Sequence, residues 1–227
     1  MKNYTIFGER CSGTNYLENL INLNFDIEIT WKYGWKHFFG FQEDLLKESK
    51  DTLFICIVRN PVDWMNSLFR DRHHLPLRFI PNISYEEQID IFLNREFFSV
   101  NDQEHNYKKW DKELMTDRNI YTGQRYKNIF ELRHTKIKYL LEDLPKKVEN
   151  TIFIKYEDLI NNFENTMKKI KDKGLKVKKD INFPVNTQNY KNTNKNLFVK
   201  KTNEISSDKI LNHPSFIKFY EKKLGYI

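Results

Sequence analysis

Residues 53–58 read LFICIV, and this run constrains the fold more than any other stretch of the chain. A strand with one solvated face alternates apolar and polar residues; this one does not alternate at all. Six residues are too few for a buried helix, and the β-branched content favours an extended backbone. The segment therefore predicts a strand covered on both faces, the hallmark of a parallel sheet. Shorter strand-like segments occur at 5–7 (TIF), 27–31 (IEITW) and 151–156 (TIFIKY). Between the first two, Tyr16, Leu17, Leu20 and Ile21 recur at helical spacing. After the buried run, Asn60 and Pro61 suit an N-cap and a first helical position. Strands alternating with helices predict an α/β fold with a mainly parallel central sheet.

A polar amphipathic stretch covers 42–50, and further helices are expected at 85–94 and 124–144, from 157 to about 173, and at the C-terminus. The Asn-, Lys- and Thr-rich stretch 182–203 reads as a loop. No repeat or linker interrupts the 227 residues, so a single domain is expected, with a partly helical insertion over 71–122. A hydrophobic content of 39 %, without low-complexity tracts, excludes a disordered chain. No apolar run reaches the roughly 18 residues of a membrane span. The start, MKNYTIFGER, has no apolar signal core, so a cytosolic protein is expected. Two cysteines exclude a disulfide framework or a cysteine-built zinc site, and no metal is expected. The net charge of +7 suits an anionic ligand, but the lysines are interspersed with acids and form no basic stripe among aromatics. Nucleic acid is therefore not the expected partner.

The loop between first strand and first helix reads Gly8, Glu9, Arg10, Cys11, Ser12, Gly13, Thr14, Asn15. Its glycines have the G-x-x-x-x-G spacing of a nucleotide phosphate loop. Glycine allows the tight turn, successive N–H groups form an anion nest, and the helix dipole adds to it. The lysine and hydroxyl residue that would complete an NTP-hydrolysing loop are absent, because Thr14 and Asn15 follow Gly13. The loop is thus expected to cradle a phosphate, with Ser12, Thr14 and Asn15 as added donors and Arg10 as a nearby cation. An ordinary βα turn can carry two glycines as well.

Arg59 closes the buried strand, at the carboxyl end where open α/β sheets bind ligands. Ser67 lies about two turns into the following helix. Guanidinium and hydroxyl together suit a second phosphate. These features resemble the sulfotransferase superfamily, which uses 3'-phosphoadenosine-5'-phosphosulfate (PAPS). The Ser12-Gly13-Thr14 loop resembles its 5'-phosphosulfate loop, and IVRNPVDWMNS at 57–67 resembles its 3'-phosphate motif. YEDLINNFENTMKKI at 156–170 and the terminal Tyr220 with LGY at 224–226 are similar to later family segments, while the middle of the chain is unmatched.

The resemblance implies a three-layer, P-loop-like fold whose insertion caps the acceptor site. It implies PAPS as donor, adenosine 3',5'-bisphosphate as product, and a small-molecule or glycan acceptor. Many members carry lysine just before the SGT triplet; here Cys11 stands there, one residue after Arg10. Arg10 would then supply the charge electrostatically, as a permanent cation and poor proton donor. His37, 22 residues before Arg59, occupies the segment where the family places a catalytic histidine, with Lys36 beside it to stabilise the sulfuryl group. Packing among Trp35, Phe38 and Phe39 is the alternative role of His37, and His73 and His74 form a second candidate base. Lys191 and Lys195 are candidate late-loop cations for the 3'-phosphate. Two other functions compete: a divergent kinase, weakened by the missing lysine, and a non-catalytic nucleotide- or polyanion-binding protein, favoured by Cys11 and the positive charge.

Overall fold

The computed structural model describes residues 1–72, 74–76, 83–100, 113–189 and 201–227. In chain order, the first elements are β1 (Asn3–Phe7), α1 (Thr14–Asn24), β2 (Glu28–Ile29), α2 (Glu43–Leu46) and β3 (Thr52–Val58). Helices α3 (Pro61–Arg70), α4 (Tyr85–Asn94), α5 (Ile129–Lys138) and α6 (Leu144–Lys147) follow. The chain ends through β4 (Thr151–Lys155), α7 (Tyr156–Asn161), α8 (Phe163–Lys171), α9 (Ser207–Leu211) and α10 (Lys218–Lys223). Two compact units result. One joins Met1–Asn60 to Tyr139–Thr202, and the other joins Pro61–Lys138 to Asn203–Ile227. The insertion expected at 71–122 falls inside the second unit.

The first unit is an α/β fold. Among the described residues, four parallel strands form a sheet in the order β2-β1-β3-β4. All seven residues of β3 are buried, as the continuous apolar run requires. The period of two divides its side chains between two layers. Leu53, Ile55 and Ile57 join Tyr4, Ile6 and Ile154 beneath α1, α7 and α8, where Leu17, Leu20, Ile21, Leu159, Met167 and Ile170 close the core. On the opposite face Phe7 stacks on Phe39 at 5.1 Å, Phe39 stacks on Tyr139, and Tyr33 covers Phe54. Cys56 lies on this face; its thiol is free and buried, which pushes its pKa up to about 12.

Some expected elements change length for local reasons. The strand expected at 27–31 shrinks to two residues, because after Thr30 donates to the Tyr4 carbonyl the chain turns away and Trp31 meets Trp35 at 4.7 Å. The helix expected from 124 starts only at Ile129. Asn128 Oδ1 accepts from the N–H groups of Phe130 and Glu131, and so acts as the N-terminal cap. It ends at Lys138, where a π-helical turn (Tyr139–Asp143) leads into α6. The helix expected from 157 is broken at Asn162, whose backbone leaves the helical region (φ −138°).

The second unit is helical among the described residues. Helix α4 spans the expected residues and opens with a capping box, Ser84 Oγ accepting from Glu87 N–H and the Glu87 carboxylate from Ser84 N–H. Fully buried Asn66 on α3 binds the returning chain: its Oδ1 accepts from Glu204 and Ile205, and its Nδ2 donates to the Ile205 carbonyl. A buried ion pair, Arg133 to Glu221 at 2.6 Å, ties α5 to α10. Both pairings satisfy groups that would be costly to bury alone.

Within β1, one buried group lacks such a partner. The Thr5 hydroxyl, in the middle of β1, is fully buried and makes no hydrogen bond. Thr5→Val keeps the shape and removes the desolvated oxygen, so it is expected to raise unfolding free energy by about 1–2 kcal/mol. Urea denaturation measures it; a destabilised variant would show that the hydroxyl has a partner in solution.

Candidate functional site

Parallel strands in register end side by side. Phe7 of β1 pairs with Cys56 of β3, and Val58 of β3 pairs with Lys155 of β4. The residues that come next, Gly8, Arg59 and Tyr156, therefore emerge at one edge of the sheet, the carboxyl edge.

Gly8 opens the loop under tight constraint. Its N–H donates to the Lys36 carbonyl at 2.9 Å, and its carbonyl lies 2.7 Å from His37 Nδ1. A Cβ here would meet Ile57 Cγ2 and its carbonyl oxygen at 2.6 Å, so the position needs glycine. The chain then turns, Ser12 N–H donating to the Glu9 carbonyl. Cys11 and Gly13 both take left-handed backbone angles, φ 61° and 96°. At Gly13 a Cβ would come within 2.3 Å of the Tyr156 ring. Helix α1 begins behind Gly13 with no side-chain cap and no acid in its first turn. Its first N–H groups and dipole thus remain available to an anion.

Arg59 reaches this loop directly, its Nη1 donating to the Cys11 carbonyl at 3.1 Å. Its guanidinium lies 4.8 Å from the centre of the Tyr156 ring. Glu157 holds the next residue, accepting from Asn60 N–H at 2.8 Å. Two groups suited to phosphate, the helix start and Arg59, are therefore built against each other within one unit.

The other sequence candidates are placed as follows. Arg10 is buried and its charge is matched by Glu9, whose Oε1 accepts from both Arg10 Nε and Arg10 N–H. The Ser12 hydroxyl turns inward onto the Glu9 carbonyl at 2.5 Å. Thr14 is buried at the start of α1. Lys36 is also buried; its ammonium donates to Asn15 Oδ1 and to Glu18, 3.2 Å away, and lies 5.8 and 5.3 Å from the ring centres of Trp31 and Trp35. Ser67 is half-buried on α3 and belongs to the second unit, as does His74, which contacts the Val100 carbonyl. Lys191, Lys195 and His73 lie outside the described residues. Sequence reading missed Glu9, Tyr156 and Glu157 as parts of the site. The YED triplet drew attention as a segment, but nothing in it announced which side chain meets the loop.

His37 is partly buried, and desolvation is the largest effect on it, lowering its pKa to about 3. Glu9 and the Gly8 carbonyl oppose the shift, while Arg10 and Lys36 add to it. A carbonyl only accepts, so the contact with Gly8 puts the proton on Nδ1 and makes Nε2 the acceptor nitrogen. Among the described residues, no three His, Cys, Asp or Glu side chains converge to hold a metal ion, and no helix is long and apolar enough to cross a membrane.

Neither a family model nor a curated protein matches the sequence. Among solved structures, mouse sulfotransferase SULT7A1 complexed with PAP is similar, with a TM-score of 0.42 and 17 % identity. The match covers 80 % of this chain and 60 % of that one.

The low His37 pKa has a consequence for stability. Between pH 6.5 and about 3 the unfolded chain binds a proton that the native ring refuses. The contribution is complete above pH 6.5 and is lost as pH falls through that window, by up to about 1.4 kcal/mol per pH unit. His37→Asn retains a donor for the Gly8 carbonyl but cannot titrate. Denaturation at pH 6.5 and 4.5 should show a shallower loss of stability in the variant; parallel losses would mean that His37 titrates normally.

Proposed function

We propose that this chain is a PAPS-dependent sulfotransferase, carrying a sulfuryl group to a hydroxyl or amine of a small-molecule or glycan acceptor. The observation that carries the reading is the contact between Arg59 and the loop. A strand-end guanidinium is held against a left-handed glycine loop that leads into an uncapped helix start. The donor set fits a nucleotide with two separate phosphate groups: backbone N–H groups and the α1 dipole for the 5' side, a bidentate guanidinium for the 3'-phosphate. Ser67, Lys191 and Lys195 are candidates for the 3'-phosphate by sequence resemblance alone.

PAPS would bring a sulfuryl group already activated for transfer. The protein's part is to orient it, hold charge and accept a proton. Neutral His37, with its Nε2 as acceptor, is the base in this reading. A pKa near 3 is too low for an efficient base, so bound anionic phosphates would have to raise it towards neutrality. Lys36 and Arg10 act as cations at the loop once a ligand competes with Glu18 and Glu9 for them. Two observations favour a second reading, nucleotide binding without transfer: Cys11 stands where the family's loop carries lysine, and Glu9 already neutralises Arg10.

Adenosine 3',5'-bisphosphate is expected to raise the melting temperature without Mg²⁺, by the equivalent of about 2.7 kcal/mol at 100 times its Kd. ATP should do so weakly. Thermal shift measures both; equal stabilisation by ATP, or none by the bisphosphate, rejects the cofactor. Turnover of PAPS with release of the bisphosphate separates transfer from binding alone.

Arg59→Lys should weaken the bisphosphate and Arg59→Ala should weaken it further, since a lysine cannot reproduce the bidentate geometry. Adenosine 5'-monophosphate, lacking the 3'-phosphate, should bind nearly as before. Calorimetry reads the ratio of the two affinities; an equal loss of both makes Arg59 structural.

A further inference from the structure

The excess positive charge of the chain is concentrated in one place. Between residues 168 and 179 stand seven lysines and one acid, Asp172. The rest of the chain holds 31 lysines and arginines against 30 acids, so this stretch supplies nearly all of the net +7. All seven side chains are exposed on the first unit. Three of them lie in the last turn of α8, where cations meet the negative end of the helix dipole. The dipole does not reach the four that follow Asp172.

The backbone that carries these lysines is well anchored. Met167 and Ile170 seat α8 on the core, and Leu175 seats the turn after it. The chain then runs beside the end of α1. Asp26 N–H donates to the Lys176 carbonyl at 2.9 Å, and Lys178 N–H donates to the Asn24 carbonyl at 3.0 Å. Between them Val177 pairs antiparallel with Phe25 and packs on the core, which leaves Lys176 and Lys178 on the outer side. Among the described residues one ion pair reaches the seven, Lys176 with Asp26 at 3.8 Å, and both partners are well exposed. Like charges held together on an ordered frame repel one another, so the fold maintains a positive field here at a cost.

We infer that this face binds an acidic polysaccharide, a sugar chain bearing sulfate or carboxylate groups. Charge alone suits any polyanion; what accompanies it narrows the class. The stretch contains no arginine and no aromatic residue, so it lacks the guanidinium forks and stacking rings that grip nucleic acids. Its Ile170, Leu175 and Val177 side chains turn to the core, so it lacks the apolar anchor that holds a protein in a lipid surface. Lysines are point charges on flexible stems, able to follow anionic groups of uneven spacing. The face is also separate from the candidate site. The glycine loop precedes α1, whereas this face is tied to its far end, about 16 Å along the axis. The inference therefore does not rest on the PAPS reading.

Heparin is the probe, titrated calorimetrically into the full chain at about 0.15 M salt. The parent should bind, with an affinity that falls steeply as salt rises. Lys168→Gln combined with Lys169→Gln and Lys171→Gln should weaken binding by about tenfold or more and flatten the salt dependence. Lys50→Gln combined with Lys218→Gln and Lys222→Gln removes the same charge elsewhere and should cost no more than about twofold. Melting temperatures establish that each variant is folded. Should the helix triple not fold, Lys173→Gln with Lys176→Gln and Lys179→Gln, beyond α8, is read in the same way. No binding by the parent, or equal losses in the face and control variants, overturns the inference. Saturating adenosine 3',5'-bisphosphate should leave the heparin affinity unchanged; displacement would put the sugar chain in the candidate site instead. A DNA duplex, or vesicles of about one-third phosphatidylserine, should bind more weakly than heparin at equal salt. Equal or tighter binding of either overturns the choice of a polysaccharide.

Discussion

Complete burial of β3 is the constraint on which the first unit depends. Its backbone groups leave water, so they must pair on both sides, with β1 and with β4. Its side chains leave water on both faces, so each face needs a covering layer. Helices α1, α7 and α8 cover one face; Tyr33, Phe39 and Tyr139 cover the other. The direction of the strands then follows through to chemistry. Because β1, β3 and β4 run parallel in register, Gly8, Arg59 and Tyr156 leave the sheet at one edge. The site is a consequence of how a fully buried strand is accommodated.

At that edge the protein gathers cations and holds them with its own acids. Glu9 takes Arg10, and Glu18 takes Lys36, both pairs largely out of water. A buried cation without a partner would be far costlier than a pair. Such pairing lets the loop stay ordered without a ligand, but any anion that binds must compete with carboxylates already in place. The start of α1 is different: it carries neither cap nor first-turn acid, and its charge is built from backbone dipoles. His37 shows the same compromise, pinned to Gly8 by Nδ1 and kept neutral by the dryness of its surroundings.

Much of this was legible in the chain itself. The unbroken run at 53–58 announced a doubly covered strand, the spacing of Gly8 and Gly13 announced the loop, and the amphipathic pattern at 85–94 announced α4. These signals are local: each depends on residues within a few positions of one another, so periodicity and turn chemistry report them. The helix expected at 124–144 starts late, at Ile129, because Asn128 caps it and the turn before Asn128 outweighs the apolar pattern there. Glu9 escaped notice since an acid in a phosphate loop looks like solvent-facing charge until its partner is seen.

Residue order alone determined the α/β class, the buried central strand, the glycine loop and the presence of an arginine at a strand end. Only the tertiary structure decided that Arg59 meets the Cys11 carbonyl, that Arg10 is spent on Glu9, and that Tyr156 fills the space which Gly13 leaves open. For the contacts of Arg59 and Tyr156 the reason is distance along the chain. Residues 13, 59 and 156 are far apart in sequence and become neighbours only when three parallel strands align, and no local pattern encodes which side chain will lie against which.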